Sequence, residues 1–174
     1  RLSADGVLDE SYGIDGFVQK KLSALPIYGL LSASWNATRF RALDGVSARS
    51  AFDAPIVANA LLGWRPNARW ELSGRVRAAS GLPTTPWITS GPRAGTRDFA
   101  RYNDGGRLPT FASLDVRADR RWTLGRTQLI TYLDVQNATG RRNVSALDWN
   151  ARTGRVQPNT SIGVLPSVGI NWEF

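Results

Sequence analysis

The sequence predicts an all-β chain: an antiparallel up-and-down meander of about seven strands, forming part of a larger transmembrane β-barrel. Three observations lead there. Segments of roughly 10–15 residues alternate apolar and polar side chains with a period of two, and clusters of Gly, Pro, Asn and Asp divide them. Short turns follow the first, third and fifth segments, whereas long loops follow the second and fourth, with the stretch after the sixth a further candidate. Outer-membrane barrels sort their connections by parity in this way, and a soluble sandwich has no reason to. The polar faces also carry charge repeatedly, at Asp15, Arg75, Arg77, Asp115, Arg117, Asp119, Asp134 and Glu173, opposite small and aliphatic residues.

The first strand is read in "YGIDGFVQKKL", residues 12–22, where Ile14, Gly16 and Val18 alternate with Asp15 and Gln19. A break at "SALP" leads to "IYGLLSASWNATRF", residues 27–40, with Gly29, Leu31, Ala33, Trp35 and Ala37 opposing Ser32, Ser34, Asn36 and Thr38. The loop "RALDGVSARSAFD" precedes "PIVANALLGWR", which sets Ala58, Ala60, Leu62 and Trp64 on one face. A tight break from Pro66 to Ala68 returns the chain into "RWELSGRVRAAS", where Trp70, Leu72, Val76 and Ala78 face away from Glu71, Ser73, Arg75 and Arg77.

The Gly/Pro-rich stretch Gly81 to Pro109 comes next. It is too long for a featureless spacer, so it reads as a functional or mobile loop, either enclosing a ligand or shielding the mouth of a barrel. "TFASLDVRADRRW" follows, with Ala112, Leu114, Val116 and Ala118 against Ser113, Asp115, Arg117 and Asp119. "TLGR" turns it into "TQLITYLDVQN", where Leu129, Thr131, Leu133 and Val135 share a face. That strand is open to extension, through an irregularity at "ATG", as far as Trp149. The last strand, "SVGINWEF", places Val168, Ile170, Trp172 and Phe174 opposite Ser167, Gly169, Asn171 and Glu173. Trp35, Trp64, Trp70, Trp122 and Trp172 fall near strand ends, where amphipathic rings suit the headgroup level of a bilayer.

Composition removes several classes of function. The 174 residues include no Cys and no His, so thiolate nucleophiles, disulfides, the usual zinc sites and Ser-His chemistry are unavailable. No catalytic, cofactor-binding or metal site is expected, and an enzyme is a distant third reading. A hydrophobic content of 42% without any run of 18 apolar residues excludes a helical membrane protein. The net charge of +8 raises nucleic acid as a partner, but the arginines are scattered through strands and loops, with no basic helix and no aromatic-basic strand motif. Nucleic acid is therefore not an expected partner. With no Met and no signal-peptide pattern, the chain reads as an internal or processed piece of something longer.

At this point the segments carry a family resemblance. "RLPTFASLDVRADRRW", Arg107 to Trp122, resembles a descending strand of the TonB-dependent outer-membrane receptors. "TYLDVQNATGRRNV", Thr131 to Val144, resembles the ascending strand that follows, and "LPSVGINWEF" resembles the closing strand. "YGIDGFVQKKL" and "WELSGRVRAASGLPTTPW" are similar in style to other strands of that family. The order agrees with the family and covers most of the chain; a departure is "ATG", Ala138 to Gly140, where the family usually has a hydrophobic or aromatic residue.

The resemblance implies that residues 1–174 are the C-terminal portion of a receptor barrel in a Gram-negative outer membrane. It implies partners beyond the segment: outer-membrane lipid, a plug domain and the remaining strands, TonB through an N-terminal region, and the barrel-assembly machinery. It also makes Ser167, Gly169, Trp172 and Phe174 an assembly signal, and Arg75, Arg77, Asp115, Arg117, Asp119 and Asp134 candidates to line the lumen. The activity implied is uptake of a scarce solute of the siderophore, vitamin or oligosaccharide class. The alternative is a standalone small β-barrel or β-sandwich binding module without transport. Four Asn-x-Ser/Thr triplets, at Asn36, Asn137, Asn143 and Asn159, are read as chance matches.

Overall fold

A computed structural model describes residues 8–41, 45 and 47–173. Seven strands run as an antiparallel meander in the order β1 (Leu8–Lys20), β2 (Ile27–Arg41), β4 (Ile56–Asn67), β5 (Trp70–Ala79), β6 (Phe111–Leu124), β7 (Thr127–Gln136) and β10 (Leu165–Glu173). A three-residue strand β3 (Ser47–Arg49) lies on the end of β2, and β8 (Val144–Asn150) pairs with β9 (Arg155–Thr160) as a separate hairpin. The connections sort by parity as the sequence predicts. Residues 21–26, 68–69 and 125–126 make the turns at one end of the sheet; residues 42–55, 80–110 and 137–164 make the loops at the other.

Local chemistry explains the turns. Asn67 accepts the amides of Arg69 and Trp70 on its side-chain oxygen, at 2.9 and 3.0 Å, closing the β4–β5 reversal. Pro66, which has no amide to give to a ladder, coincides with the register shift between Trp64 and Asn67. Gly125, at φ 65, takes the left-handed corner between β6 and β7.

One expectation fails. β7 does not continue to Trp149 but ends at Gln136, and residues 144–150 belong to the β8–β9 hairpin. The cause is Asn137, a buried residue at φ 50, which turns the chain out of the sheet; asparagine tolerates that conformation better than most residues. The "ATG" irregularity is thus the end of the strand. The Gly81–Pro109 stretch, too long for a featureless spacer, runs out and back, with bridges Pro83–Arg107 and Trp87–Arg97 and a single 3-10 turn at Phe99–Arg101.

Burial is inverted relative to a water-soluble domain. Among the described residues no aliphatic or aromatic side chain is buried, whereas Asp53, Glu71, Thr85, Asn103, Ser113, Asp115, Asn137 and Asn143 are. Register joins the apolar positions into one continuous outer sheet surface. Val18, Leu31, Ala60, Val76 and Leu114 form one row, and Trp64, Leu72, Ala118, Leu133 and Val168 another. Ile14, Val18, Leu62, Val168 and Ile170 are each more than 60% exposed, far beyond the scattered apolar residues of an ordinary surface.

The tryptophans bracket this surface. Trp64, Trp70, Trp122 and Trp172 lie toward the turn end, while Trp35 packs against Tyr12 toward the loop end, with ring centroids 6.0 Å apart. On β2, Ile27 stands opposite Trp64 and Trp35 opposite Ile56, which leaves about 26 Å of strand between the two aromatic levels.

Candidate functional site

The polar face of β2, β4, β5, β6 and β7 is built on two buried carboxylates. Toward the turn end, Glu71 accepts Arg65 Nε at 2.8 Å, Arg121 Nη2 at 2.6 Å and the Tyr28 hydroxyl. Its partners come from β2, β4 and β6, so one side chain ties four strands together. Its cross-strand neighbour is Asp119, a like charge that costs energy directly opposite, and the surrounding arginines offset it.

Higher on the face, Asp115 takes every donor within reach. Arg75 Nε and Nη2 and Arg77 Nη2 converge on Oδ2 at 3.1, 2.8 and 3.1 Å. The Ser113 hydroxyl and the Asn137 amide donate to Oδ1 at 2.8 and 2.9 Å. The result is a charge-assisted knot at the point where β7 leaves the sheet.

The third group is Arg117, which forks onto Asp119 with contacts of 2.7–3.1 Å and lies 3.8 Å over the ring of Tyr132. Asp134, opposite Arg117 in register, makes no ion pair with it; its carboxylate accepts Gln136 Nε2 at 3.5 Å instead. All six residues expected to line an interior therefore share one face. Asp115 and Asp119 are committed to neighbouring arginines, while the guanidinium groups of Arg75, Arg77 and Arg117 stay 39–49% exposed. These arginine edges, and Asp134, are the charged groups that the face leaves least committed.

Sequence reading missed the Glu71 cluster. Period-two alternation puts Glu71 on the face of Arg75 and Arg77, which was the available signal. Its partners Arg65 and Arg121 come from neighbouring strands, and register alone brings them within reach.

Two tyrosines on this face cover glycines. A Cβ on Gly63 would stand 2.1 Å from the Tyr28 ring, and one on Gly169 would stand 2.2 Å from the Tyr132 ring. Each pair is directly cross-strand. Of the expected assembly-signal residues, Ser167 faces Asp134 in register, Gly169 lies beneath Tyr132, and Trp172 is exposed on the apolar face. Phe174 lies outside the described residues.

The loop end is fixed by a second set of contacts. Arg107 donates to the Asp53 carboxylate and to the Gly81 carbonyl, and Asn103 Nδ2 donates to the Arg49 carbonyl at 2.7 Å. Gly81 admits no side chain, because a Cβ there would collide with the Leu108 carbonyl. Arg97 stacks 4.2 Å from the Trp87 ring centre, and Trp87 stacks on Trp149 at 6.4 Å. Trp87 Nε1 and Arg97 Nη2 both donate to the Leu147 carbonyl at 2.9 Å, docking the long loop onto β8. A cavity of about 370 Å³ opens between loop and hairpin, lined in part by Thr85, Arg97, Phe99, Tyr102, Asn103 and Leu147. That volume suits a small ligand.

Two of the Asn-x-Ser/Thr asparagines are structural. Asn137 and Asn143 are buried, and their side-chain nitrogens donate to backbone carbonyls, Asn137 to Arg141 at 2.8 Å and Asn143 to Ala112 at 2.9 Å. No protein-family model matches the chain, and no curated protein matches it.

Proposed function

We propose that the chain is the C-terminal part of an outer-membrane receptor barrel of the TonB-dependent type, taking up a scarce solute of the siderophore, vitamin or oligosaccharide class. One observation carries the reading: an antiparallel meander whose polar face holds the buried Glu71, Ser113 and Asp115 and whose apolar face is left open. In water such a surface drives association; in a bilayer it is the correct solvent match. The free edges of β1 and β10 call for further strands, since unpaired backbone is costly in lipid.

In this reading the polar face lines the barrel interior. Arg75, Arg77, Arg117 and Asp134 present charge along the solute path, and the cavity between Gly81–Pro109 and the β8–β9 hairpin is the outer binding vestibule. No reaction chemistry is assigned to the segment; it binds and conducts.

The test is fractionation of the full-length protein, followed by gel mobility before and after boiling. Recovery with outer membranes, release only by detergent and a heat-dependent mobility shift support the proposal. Recovery as a soluble periplasmic protein would overturn it in favour of a standalone binding module.

A further inference from the structure

We infer that Arg120, held between Trp70 and Trp122, is a binding site for the phosphate of a phospholipid headgroup at the turn end of the sheet. The inference rests on the apolar face meeting lipid. Arg120 has the parity of Leu114, Val116, Ala118 and Trp122, so it stands on that face and not with the ion pairs of the other. Its guanidinium carbon lies 3.8 Å from the Trp122 ring centre and 5.2 Å from that of Trp70, its cross-strand partner. The Trp122 indole is itself fixed, donating to Thr131 Oγ1 at 3.1 Å.

Stacking holds the plane of the guanidinium but satisfies none of its N–H groups. Among the described residues no acceptor takes a hydrogen bond from Arg120, and its Nε is buried with no partner. Every other charged group toward the middle of β5, β6 and β7 is on the opposite face. No carboxylate shares the apolar face of these strands, so the charge must be met from outside the protein. A guanidinium fork matches a phosphate through two parallel hydrogen bonds, and flanking indoles leave that edge free.

Depth and surroundings select a lipid as the source. Arg120 sits at the tryptophan level, where headgroups lie, and the turns at the same end of the sheet add Lys21, Arg69 and Arg126 with no carboxylate among their residues. One pleat further into the apolar band, about 7 Å along β6, Ala118 opens a shallow groove. That groove measures about 470 Å³ and is lined mainly by Leu62, Trp64, Leu72, Val116 and Leu133. An acyl chain lying in it places its own phosphate beside Arg120.

The test uses the full-length protein, purified in a non-ionic detergent and titrated with dioleoylphosphatidylglycerol under native mass spectrometry. Arg120→Gln should weaken the tightest lipid adduct about tenfold, the loss of one charge-assisted contact. Arg152→Gln, in the β8–β9 turn at the opposite end of the sheet, should leave it unchanged, and Arg120→Lys, which keeps charge but not the fork, should fall between. Dioleoylglycerol, with the same chains and no phosphate, should not bind. Equal binding by wild type and Arg120→Gln overturns the proposal, and displacement by millimolar inorganic phosphate reassigns the site to a free anion. Quenching of tryptophan emission by chain-brominated lipid in vesicles separates the two claims. Quenching without any Arg120 dependence removes only the headgroup site; no quenching at all removes the lipid-facing reading beneath it.

Discussion

Strands β5 and β6 present two faces only a side chain apart, and the two obey opposite rules. On one, Leu72, Gly74, Val76, Leu114, Val116 and Ala118 stand opposite one another in register and bring no polar side chain. On the other, Glu71, Arg75, Arg77, Ser113, Asp115, Arg117 and Asp119 leave hardly an acceptor position on a buried carboxylate unused. In a water-soluble sheet the apolar face would be the packed one. Here cohesion comes from the charged face, through a lattice of ion pairs spanning neighbouring strands. Arg120 and Arg121 show the contrast at single-residue scale: Arg121 is bound to Glu71, while Arg120 meets only aromatic rings.

The contrast breaks most directly with a charge on the apolar side. Val116→Arg in the full-length protein should destabilise the folded state in lipid vesicles by about 2–4 kcal/mol, the cost of a cation deep in an apolar band, read by denaturant titration. No loss would mean that this face never meets lipid. Next in size is Asp115→Ala, which strips the carboxylate from Arg75 and Arg77 and the acceptor from the Asn137 amide. A loss of about 1–3 kcal/mol is expected, limited because both arginines are partly exposed.

A smaller effect is expected for Gly169→Ala, about 1 kcal/mol, because the Tyr132 ring must move off the new methyl group. Adding Tyr132→Ala should make the double variant more stable than the sum of the two single losses implies. Strict additivity in that cycle would show that the ring does not rest on the glycine. Smallest of all is Ser34→Arg, on the polar face opposite Asp15, which should stay within about 0.5 kcal/mol of wild type in the same titration.

Much of this architecture is legible in the sequence, for a physical reason: a strand with one polar and one apolar face must alternate, and alternation is a local signal. The seven meander strands, the sorting of turns and loops and the shared face of Arg75 to Asp134 all follow from it. Register is not local. Nothing near Glu71 in sequence says that Arg121 will be its partner, fifty residues away. The β8–β9 hairpin escaped because "VSALDWN" alternates as well as any strand of the sheet, and only the backbone at Asn137 separates it from β7. The long loops lack a period, so stacking of Arg97, Trp87 and Trp149 left no pattern to read.

The two buried asparagines have a consequence for how such a chain can change. Asn143 accepts the Ala112 amide on its side-chain oxygen and donates its side-chain nitrogen to the Ala112 carbonyl, standing in for a strand residue beside β6. Its own backbone closes onto Ser161, whose amide donates to the Asn143 carbonyl at 2.8 Å. Asn137 meanwhile holds the carbonyls of Arg141 and Gly163. Residues 143–161 therefore hang from a clasp that completes the sheet by itself, and beyond it they touch the long loop, through Trp87 and Arg97, rather than the strands. The hairpin is a cassette: its length and sequence are free to diverge, or to be exchanged for another loop, without moving the strands beneath.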